Sequence, residues 1–282
     1  MSETLNLNSF PYFDDFDESK NYKKVLFKPG VSVQARELST LQSSIQNQLE
    51  TFSDTAFFDG QIVEGGSLNY LPKLDYVLLE DTFNGVPISS YLDSFNDLVL
   101  IGEVTGVKAR VISVVSSEKS DKGKTTLYVK YLTSNSTDFA ERTFRDSEQL
   151  ITQVSVNIGA TVFSENTPIA KCISTNATGL GSAVKLNLGK TYIRGFFVDF
   201  DENLLILDQY GTEPNYKVGF DVSEKIITSL EDSSLNDNAR GFSNFSAPGA
   251  DRLQISCKLE KKAINDLDTD TFIEVLRFEN GK

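Results

Sequence analysis

The 282-residue sequence has no histidine and no tryptophan, two cysteines and one methionine. Each scarcity closes a class of chemistry. Without histidine there is no Ser-His-Asp or Cys-His nucleophile system and no imidazole-ligated zinc or non-haem iron. Two cysteines alone build neither a thiolate zinc site nor an iron–sulfur cluster. Basic residues are also few: 27 Lys and Arg stand against 40 Asp and Glu, a net charge of −13. A duplex-binding surface needs clustered cations to displace counterions, so nucleic acid is not an expected partner. No run approaches the roughly 18 apolar residues of a membrane-crossing helix. The opening MSETLNLNSFPYFDDFDESK lacks the basic and apolar regions of a secretory signal, so neither membrane insertion nor a leader is expected.

The groups left for chemistry are carboxylates, Lys, Arg, Ser, Thr and Tyr. Paired carboxylates about 5–9.5 Å apart could serve a glycoside hydrolase. Forty acids guarantee such pairs by chance, however, and the Trp platforms common in those enzymes are missing. Ser117-Glu118-Lys119 and Ser120-Asp121-Lys122 sit in a polar loop between strand-like runs, where no Lys is desolvated into a base. Gly179 and Gly181 form a G-x-G without the Lys-Ser/Thr of a P-loop or the third glycine of a dinucleotide turn. The acidic FDDFDESK segment offers hard oxygen ligands but not the glycine-containing loop of an EF-hand. No catalytic residue, metal site or cofactor is expected. Cys172 and Cys257, each in a strand-like run, read as buried reduced thiols, with a disulfide as the alternative.

What is abundant is aromatic and β-forming. Twenty Phe and 10 Tyr, within 39% hydrophobic residues, can fill substantial cores, and the length suggests about two domains. Residues 1–22 combine acids with Phe10, Tyr12, Phe13 and Phe16. That mixture predicts an extended arm lying on a neighbouring surface. After the Pro29-Gly30 turn, Ser32 is the expected N-cap of a helix over 33–52. Leu38, Leu41, Ile45, Leu49 and Phe52 form its single apolar stripe at steps of three and four. Its other face is rich in uncharged amides and hydroxyls. Two readings stand: a helix packed on both sides, against a partner or symmetry copies, or an ordinary amphipathic helix on its own domain.

Beyond the helix, Gly-containing turns punctuate short alternating runs. The runs 108–115 and 125–132 flank a polar loop, and 98–135 reads as a small barrel-like meander with a solvated tip. Residues 141–149 are expected to form helical turns. Strands follow at 160–163, 169–173, 183–188, 191–200, 203–207 and 272–278. In PGADR (248–252), Pro248-Gly249 reads as a turn and Asp251–Arg252 as a local pair. Asn280-Gly281 is a hairpin signal with no strand after it, which suggests part of a longer chain. The expected fold is mainly β with one long N-terminal helix (α+β), in several small antiparallel sheets or barrel-like subdomains. Its expected divisions are 1–58 (arm and helix), 59–140 (first β region) and 141–282 (second β region).

Two blocks carry a family resemblance. The first is FPYFDDFDESKNY (10–22), continuing through VLFKPG (25–30) to VQAREL (33–38), Leu41-Gln42 and Gln46-Asn47-Gln48. The second is IRGFFV (193–198), LILDQY (205–210), DSSLNDNA (232–239) and APGADRL (247–253). Together they resemble the N-terminal domain of large tail-fibre or baseplate structural proteins of tailed bacteriophages, cyanophages especially. The resemblance implies a non-enzymatic virion protein, the proximal part of a tail fibre or baseplate component that anchors the fibre. It implies other tail or baseplate proteins as partners, and copies of the chain itself as a homotrimer. The residues expected at the assembly interface are Phe10, Tyr12, Phe13 and Phe16 of the arm and Arg36, Leu41, Ile45, Gln48 and Leu49 of the helix. The alternatives are a carbohydrate-binding module for host surface glycan and an envelope-degrading carboxylate hydrolase.

Overall fold

The computed structural model describes residues 5–134, 140–158, 161–267 and 269–282. The first four residues of the expected arm, residue 135 at the end of the expected meander and residue 160 of an expected strand lie outside them. The chain is mainly β and divides into two compact units, each assembled from segments distant in sequence.

One unit comprises Leu68–Lys185, Leu204–Tyr216 and Phe278–Lys282. Its framework is an eight-stranded sheet. The strand order is Pro168–Lys171, Gln149–Thr152, Val99–Gly102, Lys108–Val115, Thr126–Thr133, Leu68–Leu78, Thr178–Leu186, Asn203–Ile206. The meander expected at 98–135 is its centre, but it does not close. Its first strand pairs outward with Gln149–Thr152 and its last with Leu68–Leu78, so the sheet stays open. Alternation sets which side chains enter the core. In Lys108–Val115, Ala109 and Val111 are buried while Arg110 and Ile112 are exposed. Val111 lies opposite Val129, and Val114 opposite Leu127, across a bulge before Ser113. These residues join Val77, Leu100, Leu150 and Ile169 under a lid of Tyr91, Phe95 and Phe163. Each fully buried side chain of this kind contributes about 1.5–3 kcal/mol from water exclusion.

Two local expectations change here. Residues 141–148 form no helix, because the carboxylates of Asp146 and Glu148 are taken by backbone donors of distant segments. Asp146 accepts the backbone N–H of Asn176 and Ala177, and Glu148 accepts three further backbone N–H groups. The loop after Lys108–Val115 is not simply solvated. Ser120 is buried and bonds the Tyr210 hydroxyl at 2.5 Å. Gln209 holds Asp121 N and Lys119 O, and Lys122 Nζ lies 4.2 Å from the Tyr210 ring centroid. Gly179 and Gly181 serve strand packing: a Cβ at either would sit 2.4 Å from the Tyr76 hydroxyl or 2.8 Å from the Asp208 carbonyl oxygen.

The other unit comprises Met1–Ser67, Leu186–Asn203 and Lys217–Arg277. It contains the helix α1 (Ala35–Ser53) and two three-stranded sheets. In one, Gly189–Ile193 lies between Ile62–Gly65 and Phe196–Phe200; in the other, Tyr216–Ile227 lies between Arg252–Ala263 and Phe272–Phe278. Ile193, Val198 and Val222 form a shared core with Ile255 and Ile273, and Phe200 stacks on Phe220 at 5.1 Å. The run 191–200, expected as one strand, is a hairpin. Arg194 and Gly195 occupy its two-residue turn with φ of 47° and 83°, the doubly positive geometry that suits right-handed strand twist. Both cysteines are free. Burial pushes the Cys172 thiol up to about 12 and the Cys257 thiol up to about 11, so neither is poised as a thiolate.

Candidate assembly surface

The helix begins two residues later than its sequence signals suggest. Gln34 rather than Ser32 is the N-cap, because the Glu37 carboxylate reaches back to accept Gln34 N–H at 2.9 Å. What matters more is its orientation. The side chains that α1 buries are Ser44, Asn47 and Ser53. Its apolar stripe points away: Leu38, Ile45, Leu49 and Phe52 are 52, 59, 45 and 71% exposed, and only Leu41 is half-buried. The ordinary amphipathic arrangement is therefore inverted.

Two polar anchors hold the helix this way round. The first is the arm. Asp14, itself buried, accepts the Ser43 hydroxyl in a short bond and the Thr40 hydroxyl at 3.1 Å. Asp15 accepts Thr40 at 2.8 Å and pairs with Arg36 at 3.2 Å. Tyr12 donates to Asp251 Oδ2 at 2.6 Å, and this hydrogen bond, with burial, pushes the Tyr12 hydroxyl up to about 12. The second anchor is the 189–200 hairpin. Gln46 Nε2 donates to the Gly195 carbonyl at 2.8 Å, and Tyr192 donates to Asp54 at the helix C-cap at 2.6 Å. Phe57, just beyond, packs on Tyr192 and edge-on against Phe197. Arg194 N–H donates to Asp59 Oδ1 at 2.6 Å, and its guanidinium meets the buried Glu224 carboxylate at 3.0 Å.

Through Tyr12, Asp14 and Asp15 the arm is therefore tied to its own helix and to Asp251. Its carboxylates find hydroxyl and guanidinium donors one helix-width away, which offsets their desolvation. The expected interface residues divide accordingly. Phe10 and Phe13 are exposed and form an edge-to-face pair at 6.2 Å. Tyr12 and Phe16 are half-buried. Arg36 is exposed but tied to Asp15 and Gln34. Ile45, Gln48 and Leu49 are exposed on the outward face, and Gln48 Nε2 bonds the Ser44 carbonyl one turn back at 3.1 Å. The structure adds Leu38 and Phe52, together with Leu26, Phe27, Val31 and Val33 just ahead of α1, all exposed. Spacing shows which of these share the helix stripe; nothing in spacing shows that the stripe faces outward. The Asp251–Arg252 pair is not formed as expected. Asp251 takes Tyr12, and Arg252 donates to the carbonyls of Ala250 and Asp251.

Among the described residues no group of three or more His, Cys, Asp and Glu side chains could hold a metal ion, and no helix is long and apolar enough to cross a membrane. Asp14, Asp15 and Asp17 are engaged by protein donors; Asp17 caps the turn Glu18–Lys20 through Ser19. No curated protein and no solved structure matches this chain. One family model does, over residues 10–82 and 120–282, which takes in residues 10–22 of the arm, α1 and both sheets of the α1-containing unit. The chain belongs to the family described as Domain of unknown function (DUF4815).

Proposed function

We propose that the chain is a non-enzymatic structural component of a bacteriophage virion. In this reading it is the proximal part of a tail fibre or baseplate component, joining the fibre to the tail and held between other tail proteins and copies of itself. The observation that carries the reading is the inverted α1: a helix whose polar face is tied down internally and whose Leu, Ile and Phe side chains are presented outward. Contiguous apolar surface of this kind marks interaction sites. The absence of histidine in the sequence, which excludes the common nucleophile systems, fits a protein that works by being packed. The tail assignment itself comes from the two sequence blocks that resemble tail-fibre and baseplate proteins.

The test is location. Purified tailed particles that encode the chain are probed with an antibody against it and imaged. Label at the tail or baseplate is expected. Particles that lack the chain, or carry it only transiently before maturation, would overturn the reading.

A further inference from the structure

We propose that the outward face of α1 docks a second copy of this chain, α1 against α1, parallel and in register; the inference rests on the reading of α1 as an assembly surface and names its occupant. Leu38, Ile45 and Phe52 recur every seven residues, with Leu41 and Gln48 between them. That is the seam spacing of packed parallel helices, whose drift over two heptads is small. The exposed flanks suit close approach, since Gln42, Leu49 and Thr51 carry no charge.

Charge selects the occupant. The whole chain carries −13, so two copies repel over most of their surfaces. Residues 25–53 contain only Lys28, Arg36, Glu37 and Glu50 as charged groups and sum to zero. This is where like chains can meet at the least electrostatic cost. A basic partner would instead be steered to the carboxylates elsewhere. Gln48 points the same way. One of its Nε2 hydrogens is taken by the Ser44 carbonyl; placed in the seam, the second N–H and Oε1 can pair with those of the counterpart in a parallel, in-register pair, whereas a wholly apolar foreign face would bury them without partners. The area is also adequate. Leu38, Ile45, Leu49 and Phe52 at their observed exposures, with Leu26, Phe27, Val31 and Val33 ahead of them, offer roughly 800 Å², about what one partner contributes to a stable interface.

The full chain is tested by sedimentation over concentrations up to about 100 μM. Self-association is expected. Ile45→Lys should weaken it at least about 100-fold, and Leu230→Lys, at a site 97% exposed elsewhere, should leave it unchanged. Gln48→Cys should form an interchain disulfide under mild oxidation, beyond the background of the unsubstituted chain; Gln46→Cys, on the inward face, should not. A monomer throughout, association indifferent to Ile45→Lys, or no cross-link at Gln48→Cys would each overturn the inference. A chain that associates this way yet is missing from virions would refute the tail reading and leave this one standing. A chain present in virions but neither associating nor cross-linking there would do the reverse, and would assign the face to a different tail protein.

Discussion

Replacing Glu148 by alanine should be among the most destabilising single changes in the eight-stranded unit. Its side chain is buried, and its carboxylate is shared by three backbone donors: Val104 N at 2.9 Å and Thr105 N at 2.6 Å on one oxygen, Arg145 N at 2.7 Å on the other. A net hydrogen bond to a charged acceptor is worth about 1.5–3 kcal/mol, and a buried donor left unpaired costs a similar amount. Val104 is exposed, so water recovers part of one bond. The expected loss is about 3–5 kcal/mol. Gly102 supplies an internal control: a Cβ there would sit 2.4 Å from Glu148 Oε1 and 2.3 Å from Thr105 Oγ1, so Gly102→Ala must displace the same carboxylate. The two changes share one mechanism and should be strongly non-additive. Urea unfolding followed by tyrosine emission and circular dichroism measures both, since no tryptophan interferes. A loss under about 1 kcal/mol for Glu148→Ala, or simple additivity with Gly102→Ala, would refute the reasoning.

Gly195→Ala combines a positive φ of 83° with a Cβ placed 2.9 Å from that of Glu50; it should cost about 1–3 kcal/mol and raise amide exchange in the second half of α1 more than in the first. Asp14→Ala removes the carboxylate that Ser43 and Thr40 share and should open the arm to limited proteolysis, with a stability loss of about 2–3 kcal/mol. Tyr12 gives a pH signature. Its hydroxyl titrates near 12 in the folded chain against an ordinary 10.0, so the folded state holds this proton more tightly. The bond to Asp251 is therefore at full strength below about pH 10 and is lost as pH rises through about 12. The stability difference between the native chain and Tyr12→Phe, followed across that window, should shrink to nothing; a difference constant with pH would rule out the bond.

Strand content was legible where turn residues bound a short apolar run, as in Lys108–Val115, although which of the adjacent Val111 and Ile112 is buried was not. It was not legible where one local rule hides another. Arg194 gives no hint of a positive φ, so the 189–200 hairpin reads as one strand. Asp146 and Glu148 have helix-compatible side chains, and tertiary backbone donors (Asn176 and Ala177, Val104 and Thr105) take them instead. Long-range pairing leaves even less trace. Nothing local in Ile62–Gly65 announces Gly189–Ile193 as its partner, although that pairing is what joins distant segments into one unit. The α1 stripe shows the same limit in its functional form. A period of 3.6 sorts residues onto faces, but Asp14 and Gly195, far from the stripe in the fold's logic and absent from its pattern, decide that the polar face turns inward.

Oxidative footprinting of Leu38, Ile45 and Phe52 tests the assembly surface most directly, comparing the isolated chain held dilute with the chain in mature particles. Modification of these side chains should fall at least about tenfold in particles, while exposed Leu230 in the same chain stays equally reactive. Equal reactivity of the α1 side chains in both states would mean that the outward face is never covered.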